Sequence, residues 1–265
     1  MLSPLGETLR RQDPDRFLTV LFAPAERRET LITLFAFNHE LARARDVASQ
    51  TLLALIRLQW WREVVEGEAK GHEVATPLFA MIADGRLDRT ALLALIEARE
   101  AEVDGDFATL EAWGQWLLAG AGGLAVAAGL ALGVTEPGVL EGLRRRGAAY
   151  GVAGLLRSRF VLARQGRTPW PADLLAAAGM TPEEAAANPA APGMVTIFER
   201  LAAQGRLWLK AAAGLPPVPR PAIAAALPAV LARRDLSRPL AAAVRERGLG
   251  DRLAVTMAAL TGRGV

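Results

Sequence analysis

The chain has 265 residues, 52% apolar and 22% charged, enough to build a full hydrophobic core and too apolar for a disordered chain. It has no cysteine, which removes disulfides, thiolate catalysis and sulfur-bound metals, and its two histidines, His39 and His72, are too few and too far apart for a histidine metal site. Its 31 basic residues, all arginine except Lys70 and Lys210, stand against 28 acidic ones, and a net charge of +3 is no footprint for nucleic acid.

From the N-terminus, Met1-Leu-Ser-Pro-Leu-Gly-Glu-Thr-Leu-Arg-Arg11 has no apolar run behind a basic start. Glu7, Asp13 and Asp15 come too early for a transit peptide, so residues 1 to about 14 read as a short extension. Beyond it, apolar residues recur at helical spacing nearly throughout, with almost no alternation. The periodicity predicts helices over 24–47, 50–69, 74–83, 88–104, 109–133, 137–165, 194–213, 221–247 and 251–262. Pro24 opens the first, Asp88 can cap the run from Thr90, and Thr109 precedes Glu111. Thr181-Pro-Glu-Glu184 has the form of a capping box with proline at the first helical position. Stops fall at Gly67 to Gly71, Gly85, Gly105, Gly133 to Gly138 and Gly166.

Residues 186–193, rich in alanine and proline, read as a loop within the domain, and Pro216-Pro-Val-Pro219 as a connection before the last helical block. Leu117 to Val134 carries no charge over 18 residues, the length of a membrane span. Its bulk is alanine and glycine, with five leucines and two valines, so a helix buried in the core is expected instead. These elements predict one all-α domain of eight to ten helices spanning 1–265.

Several local motifs fail on physical grounds. Gly120-Ala-Gly-Gly-Leu-Ala125 matches a loose dinucleotide fingerprint, but that chemistry needs a preceding strand and a βαβ unit. There is no Gly-x-Ser-x-Gly elbow and no phosphate loop ending in Gly-Lys-Ser/Thr. Asp104-Gly-Asp106 lacks the remaining spacing of a calcium loop and reads as a helix end. His39, alone on a helix, reads as structural. Phe35, Phe37, Trp60 and Trp61 read as core, and Arg144 to Arg146 as a solvated turn of helix.

Three blocks carry more information. Leu34-Phe-Ala-Phe-Asn-His-Glu-Leu-Ala-Arg-Ala-Arg-Asp46, Arg57-Leu-Gln-Trp-Trp-Arg-Glu63 and Tyr150-Gly-Val-Ala-Gly-Leu-Leu-Arg-Ser-Arg-Phe-Val-Leu-Ala-Arg-Gln-Gly-Arg167, with Pro171 behind the last, occur in that order. Together they resemble the squalene/phytoene synthase family, from about Asp15 to the stretch Ala226-Leu-Pro-Ala-Val-Leu231 and beyond. The resemblance implies an isoprenoid-synthase-like helical bundle with a central cavity. Family members ionise an allylic diphosphate with magnesium ions held by aspartates on two facing helices, at spacings that share one helix face.

In this chain the first-motif positions fall at Ala42, Arg43 and Asp46 and the second at Ser158 and Leu162, so the resemblance leaves Asp46 alone of five ligands. His39 stands where an arginine usually precedes the first motif. Glu40, Glu63 and Glu66 are the nearest substitutes in another register, although Glu40 faces elsewhere on its helix. The reading is a non-catalytic member, with no catalytic residue, no metal site and no cofactor. Ala36-Phe-Asn-His-Glu-Leu-Ala42, followed by Asp46-Val-Ala-Ser49, is especially similar to the branch containing a mitochondrial complex I assembly factor.

That branch implies a respiratory-complex subunit or assembly protein as partner, an isoprenoid or lipid ligand, no nucleic acid, and a cytoplasmic place with at most peripheral contact at the inner membrane. Arg43, Arg45, Arg157, Arg159, Arg164 and Arg167 are the expected contacts for an anionic ligand, because guanidinium–phosphate pairing needs no metal. The alternative is an active prenyltransferase condensing isoprenyl diphosphates at an atypical metal site, with Mg²⁺ required in that case alone.

Overall fold

Proline and a few capping side chains set the helix starts. Ser3 accepts the Gly6 amide at 3.1 Å and begins α1 (Pro4–Gln12). Asp13 closes α1 and opens α2 (Pro14–Val20), its carboxylate taking the Arg16 amide at 3.0 Å. A single 3₁₀ turn at Ala25–Arg27, behind Pro24, leads into α3 (Arg28–Asp46). There follow α4 (Thr51–Glu66), α5 (Ala75–Ala83), α6 (Arg89–Asp104), capped by Asp88, and α7 (Leu110–Ala119), capped by Thr109. Next come α8 (Ala121–Ala131), the long α9 (Pro137–Arg164), α10 (Ala172–Ala177) and α11 (Pro182–Ala187). Thr181 and Glu184 form the reciprocal capping box read from the sequence. The chain ends with α12 (Pro192–Ala213), α13 (Ile223–Ala226), α14 (Pro228–Leu236) and α15 (Leu249–Thr261).

The computed structural model describes residues 2–46, 51–105, 107–239 and 246–262, apart from the side chains of Arg45, Asp46 and Asp104. No strand occurs among the described residues. The architecture is one all-α domain of the isoprenoid-synthase type.

Two predicted helices are divided. The one expected over 109–133 breaks at Gly120, whose backbone (φ −78°, ψ −83°) leaves the helix while its amide bonds Trp116 O at 2.8 Å. The stretch Leu110–Ala131 is long and apolar enough to cross a membrane, but 56% of its most apolar window is buried in the fold. The helix expected over 221–247 becomes α13 and α14, because Pro228 has no amide to continue the ladder, and α14 ends at Leu236. The rest of that range includes residues 240–245, outside the described set, as does 47 at the end of the first predicted helix. The residues read as an extension carry α1, whose Leu5 and Leu9 sit in the core against α3.

Helix α9 is the spine, with α7, α8, α12 and α14 packed around it. Its seam with α8 is closed by backbone. A Cβ on Gly147 would lie 2.5 Å from Ala121 O, and one on Gly122 would lie 2.7 Å from Arg144 O. Only glycine allows that approach. Trp113, fully buried on α7, donates its indole N–H to Pro169 O at 3.0 Å and pins the segment after α9.

Candidate functional site

The glycines of α9 also shape an opening. Helices α3 and α9 face each other across an open cavity of about 380 Å³, flanked by α6, the α7–α8 bend and the α1–α2 corner. That volume lies within the ordinary range of small-molecule sites. From α9, Tyr150, Gly154, Ser158 and Leu162 line it at one-turn spacing, with Gly151 and Leu155 beside them. Helix α3 contributes Asn38, His39 and Ala42, while its Leu31, Leu34 and Leu41 turn into the core. The bend at Gly120 brings in Trp116, Leu117 and Ala121, and α6 adds Ala98. A Cβ built on Gly154 would meet nothing within 4 Å, so the gap in the α9 wall is open space.

The polar side is made of arginine–carboxylate pairs. Arg16 donates to Asp13 at 2.6 Å, and its guanidinium lies over the Tyr150 ring, 5.1 Å from the centroid. Burial works against the Arg16 charge, but Asp13, Tyr150 and Asp15 together hold its pKa above the ordinary arginine value. Tyr150 is pushed the other way in function: burial, then Asp13, drives its phenol pKa well above the usual value, so it stays a neutral donor, 3.3 Å from Asp15 Oδ2. Across the cavity, Glu102 accepts from Arg99 at 2.6 Å and from Arg167 at 3.1 Å, and Arg99 also reaches Asn38 Oδ1 at 3.3 Å. Of these, three arginines, Arg16, Arg99 and Arg167, and two carboxylates, Asp13 and Glu102, line the cavity itself. Among the described residues, no three His, Asp or Glu side chains converge as a metal site would require.

The residues read from the sequence divide sharply by position. Ala42, Ser158 and Leu162 line the cavity, as does Arg167. Arg43 does not: it turns outward, half exposed, and pairs with Glu40 at 2.9 Å. Arg157 pairs with Asp235 at 3.5 Å on the side of α9 toward α14. Arg159 is buried between the Phe160 and Phe198 rings and donates to Leu156 O at 2.7 Å; burial lowers its pKa. Arg164 is exposed. The Arg45 and Asp46 side chains fall outside the described residues. Missing from the sequence reading were Asp13, Arg16, Arg99 and Glu102, for which the available signal was the i, i+3 spacing of Asp13 with Arg16 and of Arg99 with Glu102.

Trp60 and Trp61 stand edge-to-face at 4.9 Å, and Trp61 meets Phe37 at 5.4 Å. Trp61, Phe37 and Phe35 belong to the core cluster, and Trp60, partly buried, packs against it.

Comparison with known proteins places the fold. A family model for squalene/phytoene synthases matches residues 9–257. Among solved structures, a ligand-bound dehydrosqualene synthase superposes with a TM-score of 0.73 at 12% identity, over 97% of this chain and 94% of that one. The squalene synthase HpnC from Alicyclobacillus acidocaldarius superposes with a TM-score of 0.63 at 19% identity, over 97% and 92%. Among characterised proteins, human NADH dehydrogenase (ubiquinone) complex I assembly factor 6 is 33% identical over 102 residues, 37% of this chain. The rat protein of the same name is 35% identical over the same length. The match spans only 31% of the length of those relatives.

Proposed function

Because the chain belongs to the squalene/phytoene synthase family, we propose that it is a non-catalytic member whose cavity holds an isoprenoid or related lipid by an anionic head, in support of respiratory complex I assembly. One observation carries this reading. The cavity keeps the apolar wall needed for such a chain, Trp116, Leu117, Leu155 and Leu162, and meets its polar end with arginines.

Family chemistry depends on magnesium, and the described donor set does not fit it. Of the five positions that the resemblance assigns to metal carboxylates, four hold the methyl of Ala42, the outward Arg43, the Ser158 hydroxyl and the Leu162 side chain, and the fifth is Asp46, whose side chain lies outside the described residues. The carboxylates that do reach the cavity, Asp13 and Glu102, are each engaged by arginine at 2.6 Å. A phosphate entering beside Glu102 would meet Arg99 and Arg167, whose planar forks suit bidentate pairing without a metal. The association with complex I rests on the stretch shared with assembly factor 6.

Farnesyl or geranylgeranyl diphosphate should raise the melting temperature in the presence of EDTA, since a ligand at a hundred times its Kd adds about 2.7 kcal/mol. Magnesium should release no diphosphate from either compound. Magnesium-dependent turnover above background, with metal uptake lost in Asp46→Asn, would instead establish a working prenyltransferase.

A further inference from the structure

Helix α15 is apolar on two faces, and only one is used. Val255, Ala258 and Ala259 are buried in a cluster with Ile223, Leu227, Val230 and Leu231. On the outer face, Leu249, Leu253, Met257 and Leu260 are 78%, 63%, 56% and 61% exposed. Their spacing of four, four and three residues makes a single stripe along the helix. This is no fraying end. Asp251 accepts from Arg234 at 2.7 Å, and Arg220 donates to the carbonyls of Ala259 and Leu260 at 2.8 and 2.7 Å.

The charge of the C-terminal quarter is equally uneven. Residues 201–265 contain ten arginines and lysines against three acids, whereas residues 1–200 contain 21 against 25. The cationic excess of the whole chain thus lies in its last quarter, which puts Arg220, Arg234 and Arg238 in contact with α15 and Arg252 exposed on it, against Asp251 on the helix itself. Along the described length of α15 the one exposed charge is Arg252, since Asp251 is buried.

We propose that α15 seats this protein on an anionic lipid surface, with the leucine–methionine stripe in the headgroup boundary and the surrounding arginines on the lipid charge. The helix has 13 residues, too few to span a bilayer that asks for about 20, so it lies along the surface. A second copy of the chain is the poorer occupant, because a two-fold contact would set one cationic face against its twin. The proposal does not depend on what fills the cavity.

The test is flotation of the full chain with phosphatidylcholine vesicles, with and without about 30% phosphatidylglycerol. The wild type should float with the anionic vesicles only, and less so as sodium chloride rises from about 0.05 to about 0.5 M. Leu253→Glu with Met257→Glu should lower the bound fraction roughly tenfold with an unchanged melting temperature. If that pair unfolds the chain, Leu253→Gln with Met257→Gln takes its place. The apolar exposed pair on α4, Leu52→Gln with Ile56→Gln, should bind as the wild type does. Failure of the wild type to float, full binding by the α15 variants, or equal loss in the α4 variant would each overturn the proposal. So would a dimer in light scattering that the α15 variants dissolve, which would make the stripe a protein interface.

Discussion

Arg16 and Tyr150 show how much one corner of the site depends on single side chains. Removing the phenol hydroxyl in Tyr150→Phe keeps the ring under Arg16 and deletes one hydrogen bond to Asp15, a carboxylate that Arg247 also holds at 2.9 Å. The expected loss is about 1 kcal/mol in urea unfolding. Arg16→Leu is more severe, since it strands Asp13 in a half-buried corner, and roughly 2 kcal/mol should be lost together with the ligand-induced rise in melting temperature. Asp251 gives the pH dependence. Burial pushes its pKa up, but the Arg234 hydrogen bond, the Gly248 amide and Arg238 outweigh that and hold it below the ordinary carboxylate value. A depressed folded pKa stabilises fully above the unfolded value of about 3.9 and is lost as the pH falls below it. Stability measured along an acid series should therefore drop below about pH 4, and the drop should be shallower in Asp251→Asn.

At the scale of the helix, two glycines one turn apart on α9 should respond with opposite sign. A side chain at Gly151 would place Cβ 2.7 Å from Ala121 Cβ and 2.9 Å from Leu117 Cδ2. Gly151→Val should cost about 2 kcal/mol by overpacking. Gly154 meets open space, so Gly154→Leu should gain roughly 0.5–1 kcal/mol from helix propensity while filling the cavity and abolishing the thermal shift by prenyl diphosphates. Calorimetry with and without ligand separates the two effects. The helix ends were legible where a local group makes them: Asp88, Thr109 and the Thr181–Glu184 box act as their chemistry predicts. The break at Gly120 was not, because nothing polar marks it and the break opens a wall of the cavity. The short α1, α2 and α10 were missed because six to nine residues are too few to establish a period.

Across the whole molecule, α3 and α9, which carry the resemblance, face each other across the cavity, while the α9 arginines expected to contact an anion do not line it. Arg157 and Arg159 flank the cavity-lining Ser158, and each step along a helix turns a side chain by about 100°, which carries both away from the opening. The arginines that do line it come from α2, α6 and the segment just after α9, with Arg99 and Asn38 61 residues apart and Arg167 and Glu102 65 apart, and no local pattern records such meetings. Long-range ties also hold the C-terminal segment. Arg247 joins Asp15 of α2, at 2.9 Å, to Asp235 of α14, at 2.8 Å. Arg247→Ala should lose about 3 kcal/mol and expose the chain ahead of α15 to limited proteolysis faster than the wild type.

The seam between α8 and α9 has a mechanical consequence. Where backbone rests on backbone through glycine, no rotamer can give way, so those two walls move together as a stiff unit. Another wall, α6, is braced by long side chains, Arg62 of α4 to Glu100 at 2.9 Å on one flank and Arg167 to Glu102 at 3.1 Å on the other. Compliance is thus lopsided: a guest that swells the cavity will be accommodated by α6 yielding, with α9 as the anvil.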